Sequence, residues 1–464
     1  MDGTQKRILL IISSLASFLV PYTVSSLTVA LPAISSAFHL DAVTLGWVTS
    51  AYLLTAAIFI VPFGKLADLY GRKRFFLLGN CLFAVGSLLA AVSWTGSVII
   101  AARVIQALGG AMVFSTSIAI VTEVFPPGER GRAFGIITAT VYAGLSLGPF
   151  IGGVLTEHAG WASIFLVNIP LALIVILLTL LYIPEEWVDA DERRFDLSGA
   201  VLYGLMLFGC IYGLTLMPSL SGILWMLLGV AGIAVFVWWE RQAPVPILKL
   251  SLFRHNPVFV FSNIAALINY AVVFAVGFLL SLYLQYNRGI DPQTTGLILI
   301  AQPVVQMIIS PVSGHLSDRI EPRILATIGM GCTTIGLAVL MLLSPTTPLY
   351  VIIAGLLVLG LGYGLFSSPN TNAIMSSVDV RHLGIASGMV STMRAIGQMV
   401  SLAIAMLVFS AIIGSVQISP AVYPQLQQSV NVAFAIFVVL GIIGTWVSYA
   451  RGKVRAGKQE RHPD

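Results

Sequence analysis

Apolar runs alternate with short polar or turn-forming segments along nearly the whole chain. Most runs reach the roughly 20 residues that a helix needs to cross the hydrocarbon core of a bilayer. The pattern predicts fourteen helices, at about 8–31, 44–63, 75–93, 98–122, 132–157, 163–183, 198–216, 222–239, 257–285, 292–316, 323–343, 349–375, 383–411 and 430–450. The separators carry turn chemistry: "SWTGS", "MPSLSG", "NRGIDP" and "SPTTP". One longer separator, "EEWVDADERRFD" from Glu185, mixes both charge signs and reads as a solvated tether.

Composition agrees with this pattern. The chain is 58% hydrophobic and 9% charged, whereas soluble domains carry about 25% charged residues. No soluble fold could cover so much apolar surface. The reading is an all-α polytopic membrane protein. The net charge of +5 is therefore no sign of a nucleic-acid partner. The lipid bilayer is the expected surrounding, at the cell membrane. Cys81, Cys210 and Cys332 fall in apolar runs without ligand spacing, so no metal is expected. Lys6 and Arg7 precede a first run that continues to about Leu31 unbroken, which predicts an uncleaved span.

Lysine and arginine set the orientation. With the amino terminus and every even-to-odd connection in the cytoplasm, 21 of the 24 basic residues lie inside. The other three are Arg103, Arg288 and Arg394. The positive-inside rule then places both termini in the cytoplasm.

A repeat lies in the chain. "GKLADLYGRKR" from Gly64 returns as "GHLSDRIEPR" from Gly314, an offset of 250 residues. "GRAFGIITATVYAG" from Gly131 returns as "GIASGMVSTMRAIG" from Gly384 at an offset of 253, and in that register Gly109 faces Gly362. Two six-helix halves of like orientation follow, with helices 7 and 8 as an inserted pair. The expected units are 1–183, 184–256 and 257–464. Parallel repeats of this kind have their axis along the membrane normal and put a substrate site between the halves.

Three stretches carry a family resemblance. Gly64, Asp68, Gly71, Arg72 and Arg74 match the loop motif between helices 2 and 3 of the major facilitator superfamily. "RVIQALGGA" from Arg103 resembles its helix 4 motif, with Ala107 where glycine is usual, and marks Arg103 as a coupling candidate. "GLSLGPFIGG" from Gly144 to Gly153 resembles the helix 5 motif of antiporters. The chain thus resembles the fourteen-helix drug:proton antiporter branch over its whole length. That resemblance implies a secondary-active exporter of amphipathic small molecules, driven by the proton gradient through alternating access, without cofactor and monomeric. It also implies a carboxylate in helix 1, at or near the place of Thr23. No aspartate or glutamate falls near the middle of any predicted span. The alternative is an uncoupled or differently coupled facilitator of neutral or anionic solutes.

The residues give their own reading. Gly64 and Gly71 permit close approach and a tight turn. Asp68 can accept from Arg132 or from amino-terminal amides, and Arg72 can reach Glu123; these contacts would latch helices 2, 4 and 5, and Asp318 and Arg319 would do the same in the second half. Gly144, Gly148, Gly152 and Gly153 with Pro149 make a flat, pliant helix 5, read as a hinge. An ionisable residue at mid-span costs about 2.5–3.5 kcal/mol on insertion scales and is functional by default. Arg394 is such a residue, on a polar stripe with Ser387, Ser391, Gln398 and Ser401. With Thr23, Asn269, Tyr270, Gln302 and Gln306 it is expected to line the substrate cavity. An enzyme is not expected: no "HExxH", no intramembrane aspartate pair and no nucleotide loop occurs, and "GLGYG" at Gly360 sits within an apolar run as helix packing.

Overall fold

The computed structural model describes residues 3–125, 127–183, 186–188, 195–217, 219–243, 256–317, 319–378, 383–414 and 416–452. Among them fourteen helices are long and apolar enough to span a membrane. They are α1 (Gln5–Phe38), α2 (Ala42–Tyr70), α3 (Arg72–Ala91), α4 (Gly96–Val124), α5 (Gly135–Ala159), α6 (Ser163–Tyr182), α7 (Leu197–Thr215), α8 (Leu220–Glu240), α9 (Pro257–Asn287), α10 (Pro292–Ser317), α11 (Pro322–Met341), α12 (Leu349–Ser376), α13 (Ala386–Ile412) and α14 (Pro420–Ala450). Several outrun the apolar windows that announce them. A helix ladder has no reason to stop where hydrophobicity stops, so α2 carries its hydrogen bonding through Lys65 and Asp68 to Tyr70. Asp41 starts α2 by accepting from the amides of Val43 and Thr44 at 2.9 and 3.0 Å.

The repeat is visible in the packing. A Cβ on Gly79 of α3 would lie 3.0 Å from the Gly109 carbonyl oxygen of α4. In the second half a Cβ on Gly362 of α12 would lie 2.8 Å from the Gly329 carbonyl oxygen of α11. Both crossings exist because glycine lets two backbones touch. The inserted pair joins at a similar crossing, where a Cβ on Gly209 would sit 2.9 Å from Gly229 Cα. Helix α7 then lies against α2 and α13, with Tyr212 edge-on to Trp47. Outward on α8, Leu224, Leu227, Leu228 and Trp238 are exposed, as a lipid-facing surface requires.

The core decides the shape. At the end of the bundle away from the termini, one cluster spans both halves, including Leu31, Leu45, Leu279, Leu282 and Leu402. Towards the termini the halves have separate clusters, Leu9, Phe76 and Val121 in the first and Phe259, Ile374 and Met389 in the second. Direct contacts between the halves follow the same division. Gln285 donates to the Val29 carbonyl at 2.9 Å, His158 meets Gln293 at 3.1 Å, and Asp41 bridges to Gln417. All lie at the far end.

Candidate functional site

Below these contacts, between the halves, lie two cavity lobes of about 150 and 140 Å³ that share Val24, Leu145, Phe274 and Gln398. The first lobe takes Tyr270 from α9, Gln302 and Gln306 from α10 and Tyr363 from α12. The second takes Tyr52 from α2, Phe114 from α4, and Ser391 and Arg394 from α13. Arg394 is the one charged side chain among the described lining residues. Its Nε donates to the Tyr270 hydroxyl at 3.1 Å, and its guanidinium lies 5.2 Å from that ring's centroid. Tyr363 stands edge-on to Tyr270 at 5.7 Å. The arrangement offers a fixed cation, three amides and aromatic faces inside apolar walls. It can orient a neutral or anionic amphiphile.

Five of the seven residues expected in the cavity are there: Tyr270, Gln302, Gln306, Arg394 and Gln398. Thr23 and Asn269 are not. Thr23 is buried on the opposite face of α1, where its hydroxyl donates to Asn168 Oδ1 of α6 at 3.1 Å. Asn269 is buried and donates to Met330 Sδ of α11 at 3.4 Å. Each side chain is drawn to a neighbouring helix, which offers Thr23 an amide oxygen and Asn269 a thioether sulfur, while Asn269 Oδ1 stays buried without a partner. Sequence reasoning missed Tyr52, Phe274 and Tyr363. Tyr363 sits in the "GLGYG" stretch, whose glycines pack on α10 and α11; the tyrosine between them was the available signal.

Arg103 lies behind the cavity wall. It is fully buried, 4.3 Å from the centroid of Tyr52, and its Nε donates to the Val48 carbonyl at 3.2 Å. Its guanidinium also donates to Gln106, which in turn donates to Ser87 at 2.7 Å. Tyr52 thus has one face against this cation and lines the second lobe.

The loop motif forms a cluster at the termini-bearing face. Arg72 bridges Asp68 at 2.7 Å and Glu123 at 3.0 Å, tying α2, α3 and α4 together. Asp68 therefore bonds within its own motif, to the residue four places on that opens α3. The Arg132 side chain and Asp318 lie outside the described residues; Arg319 is exposed just past α10. Gly64 is helical and not in a loop, and a Cβ there would meet only Ser115 Cβ at 3.7 Å, an ordinary contact. Gly71 is the turn, with φ of 117° that glycine adopts without strain. A further partner comes from the segment read as a solvated tether. Glu186 accepts from the Lys73 amide at 2.8 Å and pairs with Arg74 at 3.6 Å, and the Arg72 amide donates to the Trp187 carbonyl. Glu186 and Trp187 of the tether are docked.

The glycines of α5 meet two partners. Cβ atoms on Gly144 and Gly152 would lie 2.8 and 2.6 Å from the carbonyl oxygens of Phe18 and Ser26, and one on Gly148 would overlap Ser25. Gly153 faces Pro292 of α10, and Gly296 returns the contact onto the Pro149 carbonyl.

Comparison with known proteins places this geometry. The family model for the Major Facilitator Superfamily matches residues 13–402 and 262–461. The riboflavin transporter RibZ of Clostridioides difficile is 33% identical over 84% of this chain and 85% of its own length. The multidrug resistance protein Stp of Mycobacterium tuberculosis is 35% identical over 93% of this chain and 80% of its own. Among solved structures, an inward-facing, unoccupied bacterial homologue of the human lysosomal transporter Spinster superposes with a TM-score of 0.70 over 100% of both chains, at 16% identity.

Proposed function

The chain belongs to the Major Facilitator Superfamily, and on that premise we propose that it is a secondary-active exporter of amphipathic small molecules. The observation that carries this reading is the cavity between the halves, covered by a joint core at one end and flanked by separate cores at the other. A carrier that exposes its site to one side at a time needs such a division. The basic residues assign the termini-bearing face to the cytoplasm, so this state opens inward, in the plasma membrane. The cluster of Asp68, Arg72 and Glu123 serves as the latch that forms and breaks with the cycle, and α5 as the hinge on α1 and α10. Half-exposed charge pairs suit a latch because each is worth about 0–1 kcal/mol. Relatives that carry riboflavin or confer multidrug resistance support a substrate with a planar or apolar body.

The proton gradient is the proposed energy source. A second reading, an uncoupled carrier of neutral or anionic solutes, is favoured by one observation: no carboxylate is among the described lining residues. Everted membrane vesicles decide between them. Uptake of a fluorescent amphiphile that collapses when the pH gradient is dissipated supports proton-driven export. Uptake to concentration equality, indifferent to the gradient, supports the uncoupled carrier. No uptake of any amphiphile, against empty vesicles, removes both.

A further inference from the structure

A second hollow, of about 680 Å³, lies on the outside of the second half between α11 and α14, away from the central cavity. Its chemistry is apolar even where its sequence is not. Three threonines line it, and each turns its hydroxyl inward: Thr327 donates to Ser448 at 3.1 Å, Thr334 to the Met330 carbonyl at 2.9 Å, and Thr445 to the Gly441 carbonyl at 2.8 Å. Methyl groups are left facing out. Gly331 forms an open floor, with nothing within 4 Å of where its Cβ would be. Thr327 to Ala338, the stretch of α11 along the hollow, is about 16 Å at roughly 1.5 Å per residue. One leaflet of a hydrocarbon core about 30 Å thick is close to that depth.

At the termini end of the groove stands Arg323, one turn beyond Thr327. Its guanidinium lies 4.8 Å from the centroid of Tyr449, itself a groove wall; its Nε is buried and has no hydrogen-bond partner, so a groove ligand would meet the outer nitrogens. Close by, Arg451 is fully buried and already committed, donating to the Ser448 carbonyl at 2.9 Å and to Asn370 Oδ1 at 2.8 Å. Burial and then the charge of Arg323 push Arg451 down to about 10, with Glu321 opposing in part. Two like charges are thus held near each other where an anion would relieve them.

We propose that the α11–α14 groove holds one anionic phospholipid, with an acyl chain along Gly331 and the phosphate accepting from Arg323. Water has no partner in the groove, and an acyl chain is the apolar occupant that a bilayer supplies. The charge at its mouth selects the headgroup.

The test uses the purified full chain in detergent, following the thermal unfolding midpoint as lipid is added. Dioleoylphosphatidylglycerol raises the midpoint more than dioleoylphosphatidylcholine does. Arg323→Gln weakens the phosphatidylglycerol response about tenfold in half-saturating concentration, the worth of one charge-assisted hydrogen bond. Arg323→Lys retains most of it. Gly331→Leu, which fills open space, weakens the response with the headgroup partner intact. Each variant is judged on the difference between lipids, so a lower starting stability does not obscure the outcome. Equal responses to both lipids, an undiminished difference in Arg323→Gln, or the same shift from soluble glycerophosphate, which would make the site one for free phosphate, overturns the proposal.

Discussion

Arg394 and Tyr270 meet twice: the guanidinium lies 5.2 Å from the ring centroid, and its Nε donates to the hydroxyl at 3.1 Å. One tyrosine thus supplies both a π face and an acceptor to a cation that no carboxylate among the described lining residues neutralises. Arginine stays charged in such a place, because its guanidinium does not give up its proton in proteins. The pair leaves the remaining guanidinium donors for a ligand.

Arg394→Gln is expected to weaken export of anionic amphiphiles most, by about tenfold for the loss of one charge-assisted contact. Arg394→Lys restores part of it, since charge survives and the planar fork does not. Tyr270→Phe keeps the ring, loses the acceptor, and lies between. Vesicle transport of an anionic and a quaternary ammonium dye in parallel makes the measurement. Efficient export of the quaternary dye, with every substrate unchanged in Arg394→Gln, would show Arg394 to be structural.

Asp68→Asn removes one of the two acidic partners of Arg72 and leaves Glu123 at 3.0 Å. Expression in the membrane is expected to stay near wild type, because a half-exposed pair contributes about 0–1 kcal/mol. Transport is expected to fall several-fold, since the latch acts on the balance between two states, where about 1.4 kcal/mol is tenfold. Quantified membrane protein beside initial transport rate separates the two. A wild-type rate removes the latch.

What the sequence discloses divides along one line. Fourteen spans and the two halves are legible because a bilayer reads hydrophobicity along the chain, and because crossings such as Gly79–Gly109 and Gly329–Gly362 require glycine at fixed places. The direction in which a polar residue of a span points is another matter. Thr23 and Ser25, two residues apart on α1, must face opposite sides of the helix, but which of the two faces the cavity is not written there: Ser25 lines a lobe and Thr23 bonds to Asn168. Which neighbour each meets depends on how helices distant in sequence pack, and nothing local in α1 encodes that. The docking of Glu186 was hidden for the same reason: a charged tether and a charged partner look alike until the Gly71 turn brings them together.

Topology has a direct test. In a background with its three cysteines replaced, cysteine at Ser219 or Thr346, both exposed at the far end of the bundle, is expected to react with an impermeant maleimide added to intact cells. Cysteine at Tyr70, exposed at the termini-bearing face, is expected to react only after permeabilisation. The reverse pattern would invert the membrane orientation and, with it, the direction of transport.

Gly152→Ala tests whether α5 must lie flush on α1. A Cβ at Gly152 would sit 2.6 Å from the Ser26 carbonyl oxygen and 2.8 Å from Ser26 Cα, and backbone atoms cannot swing aside as a flexible side chain can. The two helices would have to part along their contact, since ordinary packing begins near 3.4 Å. Overpacking of this kind costs about 1–3 kcal/mol. Gly135, near the other end of the same helix, has nothing within 4 Å of its Cβ position. Gly135→Ala is therefore expected to be neutral or slightly stabilising, because alanine favours helix by about 1 kcal/mol over glycine. Thermal unfolding of the two variants in detergent reads the difference: a lower midpoint for Gly152→Ala, and an unchanged or higher one for Gly135→Ala. Transport then separates packing from movement. If α5 slides on α1 during the cycle, Gly152→Ala slows transport beyond its loss of folded protein; if α5 only packs there, the rate per folded molecule stays at the wild-type value and the hinge role falls.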